Sequence, residues 1–265
     1  MLGAIVALSS CGFLGALLLY ISSKKFYVET SPLIESVENL LPGLNCGGCG
    51  YPGCRQLAEA IVKGDEPPSA CPVGGNELAK EISKLLGVEF VSESPKVARV
   101  KCGGDYDKCK SKYDYIGPES CKTQDLLAKG DKMCSYGCLG RGDCVRACTF
   151  DAIHIGLSGL PIVDEKKCTA CGLCVKACPR NLIELVGIDK KYFIACNSND
   201  KGAFVRKVCS VGCIGCGRCV KECPEKAIIL ENNLATILQE KCNNCGKCYE
   251  VCPTKSVVTY DKVLS

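Results

Sequence analysis

The apolar residues of this chain fall into one long run and many short ones. From Leu2 to Ile21, "LGAIVALSSCGFLGALLLYI" passes 20 residues without a charge, and at about 1.5 Å per residue a helix of that length crosses a hydrocarbon core of roughly 30 Å. Lys24 and Lys25 follow and no positive charge precedes the run. The pattern therefore predicts a retained single-pass anchor rather than a cleaved leader, with the rest of the chain on the cytoplasmic side of the cell (inner) membrane. Ala7, Cys11 and Gly15, spaced four apart, form a small-residue stripe against which a second membrane helix could pack. Next come two helical periods. "IESVENLLPGLN" is stopped by Pro42 and Gly43, and "RQLAEAIVKG" places Leu57, Ala58, Ile61 and Val62 on one face. Beyond residue 150 the apolar stretches shrink to pieces such as "AIIL", each leaving a cysteine-rich loop and each short enough for a strand or a helix edge.

Cysteine changes the picture. The chain has 26 cysteines in 265 residues, with one histidine and no tryptophan, so sulfur chemistry rather than an aromatic core organises it. Disulfides need an oxidising compartment, and no small secreted domain follows a leader here. Zinc sites favour isolated C-x2-C pairs on longer loops or cysteine mixed with histidine, and the runs in this chain are tighter and recur.

Four segments align: "CSYGCLGRGDCVRACTFDAIHI" from Cys134, "CTACGLCVKACPRNLIEL" from Cys168, "CIGCGRCVKECPEKAIIL" from Cys213 and "CNNCGKCYEVCPTKSVVT" from Cys242. The last three are C-x2-C-x2-C-x3-C-P, the bacterial ferredoxin run, in which three cysteines bind one [4Fe–4S] cube and the fourth binds the cube of the paired repeat. Glycines such as Gly172, Gly217 and Gly246 relax the loop around the cube, and the proline after the fourth cysteine ends it. The first repeat reads as C-x3-C-x5-C-x3-C, a widened loop with Thr149 in place of proline, and keeps the apolar exit "FDAI". Pairing repeats one and two gives Cys134, Cys138, Cys144 and Cys178 for one cube, and Cys168, Cys171, Cys174 and Cys148 for its neighbour. Repeats three and four give Cys213, Cys216, Cys219 and Cys252, and Cys242, Cys245, Cys248 and Cys223.

A further loop, "NCGGCGYPGCRQLAEA", contains a literal G-x-G-x-x-G at Gly48, Gly50 and Gly53. A dinucleotide loop would need an apolar strand before it and an acidic residue about 20 positions later, whereas a helix precedes this one. Cys46, Cys49, Cys54 and Cys71, spaced C-x2-C-x4-C-x16-C, instead form a fifth cluster set. Cys102, Cys109, Cys121, Cys196 and Cys209 remain. Either four of them, Cys102, Cys109 and Cys121 with Cys209 or Cys196, close a sixth cluster, or all are reduced thiols; the spacing leaves both open. Cys11 reads as a small packing residue.

The order of features resembles the B subunit of the Rnf electron-transport complex, an ion-translocating ferredoxin:NAD+ oxidoreductase, in its longer clostridial type. The resemblance rests on the anchor, "CGGCGYPGC" with a later "CPVGG", the insert "YGCLGRGDCVRACTFDAI", and "GCIGCGRCVKECPEKAI" leading through "NNLA" into "CNNCGKCYEVCPTK". It implies an electron-transfer component that takes electrons from reduced ferredoxin and passes them to the other membrane and peripheral subunits, coupled to Na+ or H+ translocation. The alternatives are a membrane-anchored polyferredoxin of another redox complex, such as a hydrogenase, and a zinc-binding scaffold.

The expected architecture is α+β: an anchor (1–23), a small helical [4Fe–4S] domain (24–95), a cysteine-containing insert (96–133), a 2[4Fe–4S] ferredoxin module (134–185), a linker with Cys196 and Cys209 (186–212) and a second module (213–265). No residue reads as a catalytic acid, base or nucleophile; His154 reads as an incidental strand residue, and no flavin or NAD site is expected. The formal charge of +4 is no nucleic-acid signal, since twenty thiolates around five dicationic cores take the chain to about −6. Arg141, Arg146, Lys176, Lys221 and Lys247 lie near the loops and could steer an acidic ferredoxin.

Overall fold

The computed structural model describes residues 2–25, 31–92 and 94–259, with the side chains of residues 2, 4–8 and 11 left out. Helix α1 (Leu2–Lys25) covers the uncharged run, and Phe13, Leu14, Leu18 and Leu19 along it are exposed. Among the described residues no helix is long and apolar enough to cross a membrane, so the expected transmembrane span is not a feature of the described structure. The expected packing stripe falls outside it too, since the side chains of Ala7 and Cys11 are not described.

The small helical domain follows. Helix α2 (Pro32–Leu40) starts as its sequence dictates: Ser31 accepts the Leu33 N–H, and Pro32 occupies a first-turn position where no N–H is needed. Helices α3 (Cys54–Lys63) and α4 (Gly75–Leu86) end on Gly64 and Gly87 in the left-handed conformation. Val37, Leu57, Ala58, Ile61, Leu78 and Ile82 close the core between the three helices, and Cys71 belongs to it.

The remainder is two copies of one plan. In the first, strand β1 (Lys96–Val100) is followed by helix α5 (Cys121–Leu126), helix α6 (Asp143–Arg146), strands β2 (Ile153–Ile155) and β3 (Pro161–Val163), helix α7 (Leu173–Ala177) and strand β4 (Ile183–Gly187). β2 and β3 form a hairpin, while β1 pairs antiparallel with β4, Ala98 opposite Leu185. In the second, strand β5 (Tyr192–Ile194), helix α8 (Gly202–Val208), helix α9 (Arg218–Lys221), strands β6 (Ile228–Glu231) and β7 (Leu234–Ile237), helix α10 (Lys247–Glu250) and strand β8 (Val257–Thr259) repeat the arrangement. β6 and β7 form the hairpin, turned through Asn232 and Asn233, both at positive φ, and β5 pairs with β8.

Lys96–Val100 of the expected insert and Tyr192–Ile194 of the expected linker thus enter the sheets of the two modules. Their "VARV" and "YFI" are too short to signal a strand alone; the partner strand at the far end of each module creates them.

Candidate metal centres

In each intact loop the backbone passes through the same conformations. The residue before the second cysteine is left-handed (Ala170, Gly215, Asn244), the glycine before the third is left-handed (Gly172, Gly217, Gly246), and a four- or five-residue helix starts there and buries the third cysteine (Cys174, Cys219, Cys248). Three residues past the fourth cysteine the chain is left-handed again (Asn181, Lys226, Lys255). The next N–H points back at sulfur, from Leu182 to Cys178 at 3.4 Å and from Ala227 to Cys223 at 3.3 Å. Such N–H donors stabilise a thiolate.

The first repeat obeys the same frame, shifted from the expected one. Gly140, Gly142 and Asp151 take the three left-handed positions, α6 buries Cys144, and the Ala152 N–H reaches Cys148 Sγ at 3.4 Å. The loop is therefore Cys138-x2-Arg141-x2-Cys144-x3-Cys148: a regular ferredoxin loop with arginine where the second cysteine belongs. Counting back from the fourth cysteine would have revealed this register; counting forward from Cys134 hides it.

The structure gathers the thiols into six groups. Site I holds Cys49, Cys54 and Cys71 against the helical core, with Cys46 on the loop that Asn45 closes by accepting the Cys54 N–H at 2.8 Å. At site II, Cys148, Cys168 and Cys171 face Cys174, whose thiol is pushed up to about 11 by burial and by those neighbours. At site III, Cys121, Cys138, Cys144 and Cys178 ring one cavity. Burial, then Cys121 and Cys178, push Cys144 up to about 12. At site IV, Cys102, Cys109, Cys134, Cys196 and Cys209 line another. Sites V (Cys213, Cys216, Cys219, Cys252) and VI (Cys223, Cys242, Cys245, Cys248) each ring a cavity, in the expected crossed pattern.

Module 1 departs from expectation at one exchange. Cys121 stands with Cys138, Cys144 and Cys178, where Cys134 was expected, and Cys134 stands with the leftover cysteines, where Cys121 was expected. The cause is local. Arg141 donates from Nε to Gln124 Oε1 at 2.9 Å, and Asp143 accepts the Lys122 N–H at 3.0 Å, so the loop that lacks a cysteine grips the helix that brings one.

The donor sets suit iron–sulfur cubes. At each of sites III to VI at least four thiols line one cavity. Burial favours the protonated thiols at Cys174, Cys219 and Cys248, each pushed up to about 11, so loading a metal there releases protons. At Cys252 the N–H groups of Val257, Ser256 and Thr254 outweigh burial and hold the thiol below its usual range.

The six sites are contiguous. A Cβ on Gly48 would lie 2.9 Å from Cys171 Cβ, so this glycine of the site I loop allows close approach to site II. Cys174 of site II acts on Cys144 of site III. The Cys138 N–H of site III meets Cys102 Sγ of site IV at 3.3 Å. The Cys213 N–H of site V supports Cys196 of site IV, and Cys219 of site V acts on Cys248 of site VI. Among the described cysteines only Cys216 and Cys245, at the far end of the row, are exposed. His154 lies exposed on β2.

Of the five cations expected to steer a partner, Arg141 and Arg146 also hold partners within the chain, Arg146 while remaining exposed. Arg141 stacks on the Tyr115 ring at 5.0 Å, and Arg146 binds Asp143 and, at 2.6 Å, the Glu119 carbonyl. Lys176, Lys221 and Lys247 are exposed.

Family comparison agrees with this geometry. Residues 41–73 match the family described as a putative Fe-S cluster, and residues 167–227 and 208–253 match two families described as 4Fe-4S dicluster domains. The B subunit of the ion-translocating oxidoreductase complex of Methanosarcina acetivorans is 46% identical over 242 residues, 91% of this chain and 92% of that protein. The chain belongs to the family of B subunits of ion-translocating oxidoreductase complexes. Other members of this family include the B subunit of the Na+-translocating ferredoxin:NAD+ oxidoreductase of Acetobacterium woodii, 46% identical over 84% of this chain and 67% of the relative. The B subunit of the proton-translocating enzyme of Clostridium ljungdahlii is 43% identical over 90% of this chain and 84% of the relative. Each of these three matches spans 84% or more of this chain.

Proposed function

We propose that this Rnf B subunit is an electron relay of six [4Fe–4S] clusters, anchored in the cell membrane by α1, which accepts electrons from reduced ferredoxin and passes them to the membrane subunits of a ferredoxin:NAD+ oxidoreductase coupled to Na+ or H+ translocation. The observation that carries this reading is the unbroken row of thiol rings from the exposed end of module 2 to site I. When bound, each cluster supplies a one-electron site, and the chain supplies ligands, spacing and shielding from water. No flavin or NAD site is assigned to this chain.

The proposed ligands are Cys46, Cys49, Cys54 and Cys71 at site I; Cys148, Cys168, Cys171 and Cys174 at site II; and Cys121, Cys138, Cys144 and Cys178 at site III. Site IV takes Cys102, Cys109, Cys134 and Cys209. Cys209 is preferred to Cys196 because its thiol hydrogen-bonds Cys109 and the two residues bridge backbones, whereas Cys196 turns toward Cys213. Sites V and VI keep the sets given above. Electrons enter at sites V and VI, where Cys216 and Cys245 are exposed, and leave from site I, which follows the anchor in the chain. The anchor is supported by the exposed apolar side chains of a 24-residue helix with charges only at Lys24 and Lys25, which also favour the cytoplasmic side for the clusters.

Iron and sulfide analysis of anaerobically purified protein tests the relay. About 24 irons per chain is expected; about 20 removes site IV, and a colourless zinc protein removes the relay altogether.

A further inference from the structure

At the joint between the two modules lies the largest fully buried side chain among the described residues, and it is a lysine. Lys132 is 0% exposed. Its Nζ donates to the Gly104 carbonyl at 2.8 Å and sits 4.4 Å from the Tyr106 ring centroid, and it has no carboxylate partner among the described residues. The two buried carboxylates nearby hold other groups, Asp131 through Oδ2 alone. Asp131 accepts from Tyr106 Oη at 3.0 Å and pairs with Arg141, and Asp105 binds Lys108 at 2.6 Å. A buried ammonium whose only partners are one carbonyl and one ring face is costly unless further negative charge stands close.

That charge comes from sites III and IV. Gly104, whose carbonyl holds Lys132, packs against site IV: a Cβ there would lie 3.1 Å from Cys209 Sγ and 3.4 Å from Cys109 Cβ. Tyr106, under the ammonium, donates from Oη to the Leu139 carbonyl at 3.2 Å, next to Cys138 of site III. A four-thiolate cube carries a charge of about −2 oxidised and about −3 reduced, so a fixed cation beside it favours the reduced form.

We infer that Lys132 is a buried counter-cation shared by the clusters of sites III and IV, raising both reduction potentials and so favouring electron passage across the joint between modules. The inference rests on the six-site reading. The other two buried cations among the described residues, Arg99 and Arg180, pair with carboxylates, Glu165 and Asp125.

The test is an EPR-monitored redox titration of the anaerobic full-length protein and its K132M and K132R variants, with iron counted in each. In K132M, two of the six clusters are expected to need a lower potential: at a fixed solution potential their ratio of reduced to oxidised falls about tenfold, which is 59 mV for a one-electron couple. In K132R they stay near wild type. K132M with about 24 irons and unchanged potentials overturns the inference. Iron loss in K132M but not K132R supports it, since K132R keeps the positive charge and K132M does not, and iron loss in both assigns Lys132 to packing and overturns it. Wild-type protein with about 20 irons removes site IV, and with it the shared cation, a failure distinct from an unmoved potential.

Discussion

Module 2 builds two thiol rings from two intact C-x2-C-x2-C-x3-C loops, whereas module 1 has one intact loop and still builds two. Both share the same hairpin, the same pairing of first strand with last and the same left-handed backbone positions, so at the ligand positions of the loops the difference is one residue, Arg141. A fold set by strand pairing and loop conformation tolerates loss of a ligand if another element delivers a thiol to the same place. Here that element is α5, held by Arg141 through Gln124 and by Asp143 through the backbone of Lys122. Because Cys121 completes site III, Cys134 is left for site IV, and the chain gains a ring at the joint between modules. The missing cysteine and the extra ring are two sides of one rearrangement.

Giving module 1 back its cysteine should erase this asymmetry, and it carries the largest change in iron. Cys121→Ser should cost site III, lowering iron by about four per chain, while Cys134→Ser should cost site IV and leave site III intact. Arg141→Cys in the Cys121→Ser background should restore about 24 irons, since the new thiol occupies the second ligand position of a regular loop. If the double variant stays near 20 irons, or if Cys134→Ser removes the site III signal, the register assigned to the first loop is wrong.

Much of this was legible in the sequence and some was not, for a consistent reason. Both rings of module 2, the spacing of site I and the buried face of Leu57, Ala58 and Ile61 follow from short-range patterns. Site III does not, because Cys121 reaches Cys144 through the chain's return path rather than a fixed spacing. Lys96–Val100 and Tyr192–Ile194 became strands only through partners at the far ends of their modules. Besides counting back from the fourth cysteine, a usable local signal was the pair of glycines around Arg141, which matches the glycines and left-handed residues of the intact loops.

A smaller effect concerns how α5 is held in module 1. Asp125, on α5, accepts Arg180 Nε at 2.8 Å and Lys129 Nζ at 3.3 Å, and Arg180 lies just beyond Cys178 of site III. Burial opposes ionisation of Asp125, but Arg180 and then Lys129 outweigh it and hold the carboxyl below its usual range. A depressed carboxyl contributes stability that is fully present above the unfolded value of about 3.9 and is lost as pH falls through the lower folded value. Asp125→Asn should therefore cost about 1 to 2 kcal/mol, equally at pH 6 and pH 8, with cluster bleaching on heating about 2 to 4 °C earlier per kcal/mol. A deficit that changes between those pH values would mean that Asp125 is not the ionised partner.

The smallest expected effect separates the outer surfaces of the two modules. Lys176 and Lys221 occupy the same position after the third cysteine of their loops, but Lys176 lines the groove between module 1 and the site I domain, while Lys221 is exposed beside the open end of the row with Lys247. If ferredoxin docks at module 2, a Lys221→Gln, Lys247→Gln variant should raise the apparent KM for ferredoxin by about three- to fivefold at low ionic strength, the scale of one or two exposed charge pairs. The effect should fade toward 1 M salt, where screening acts within about 3 Å. Lys176→Gln should change little at either salt concentration. An equal loss from Lys176→Gln would place electron entry at module 1 and reverse the direction assigned to the relay, because site II would then receive electrons that the row is proposed to deliver to it.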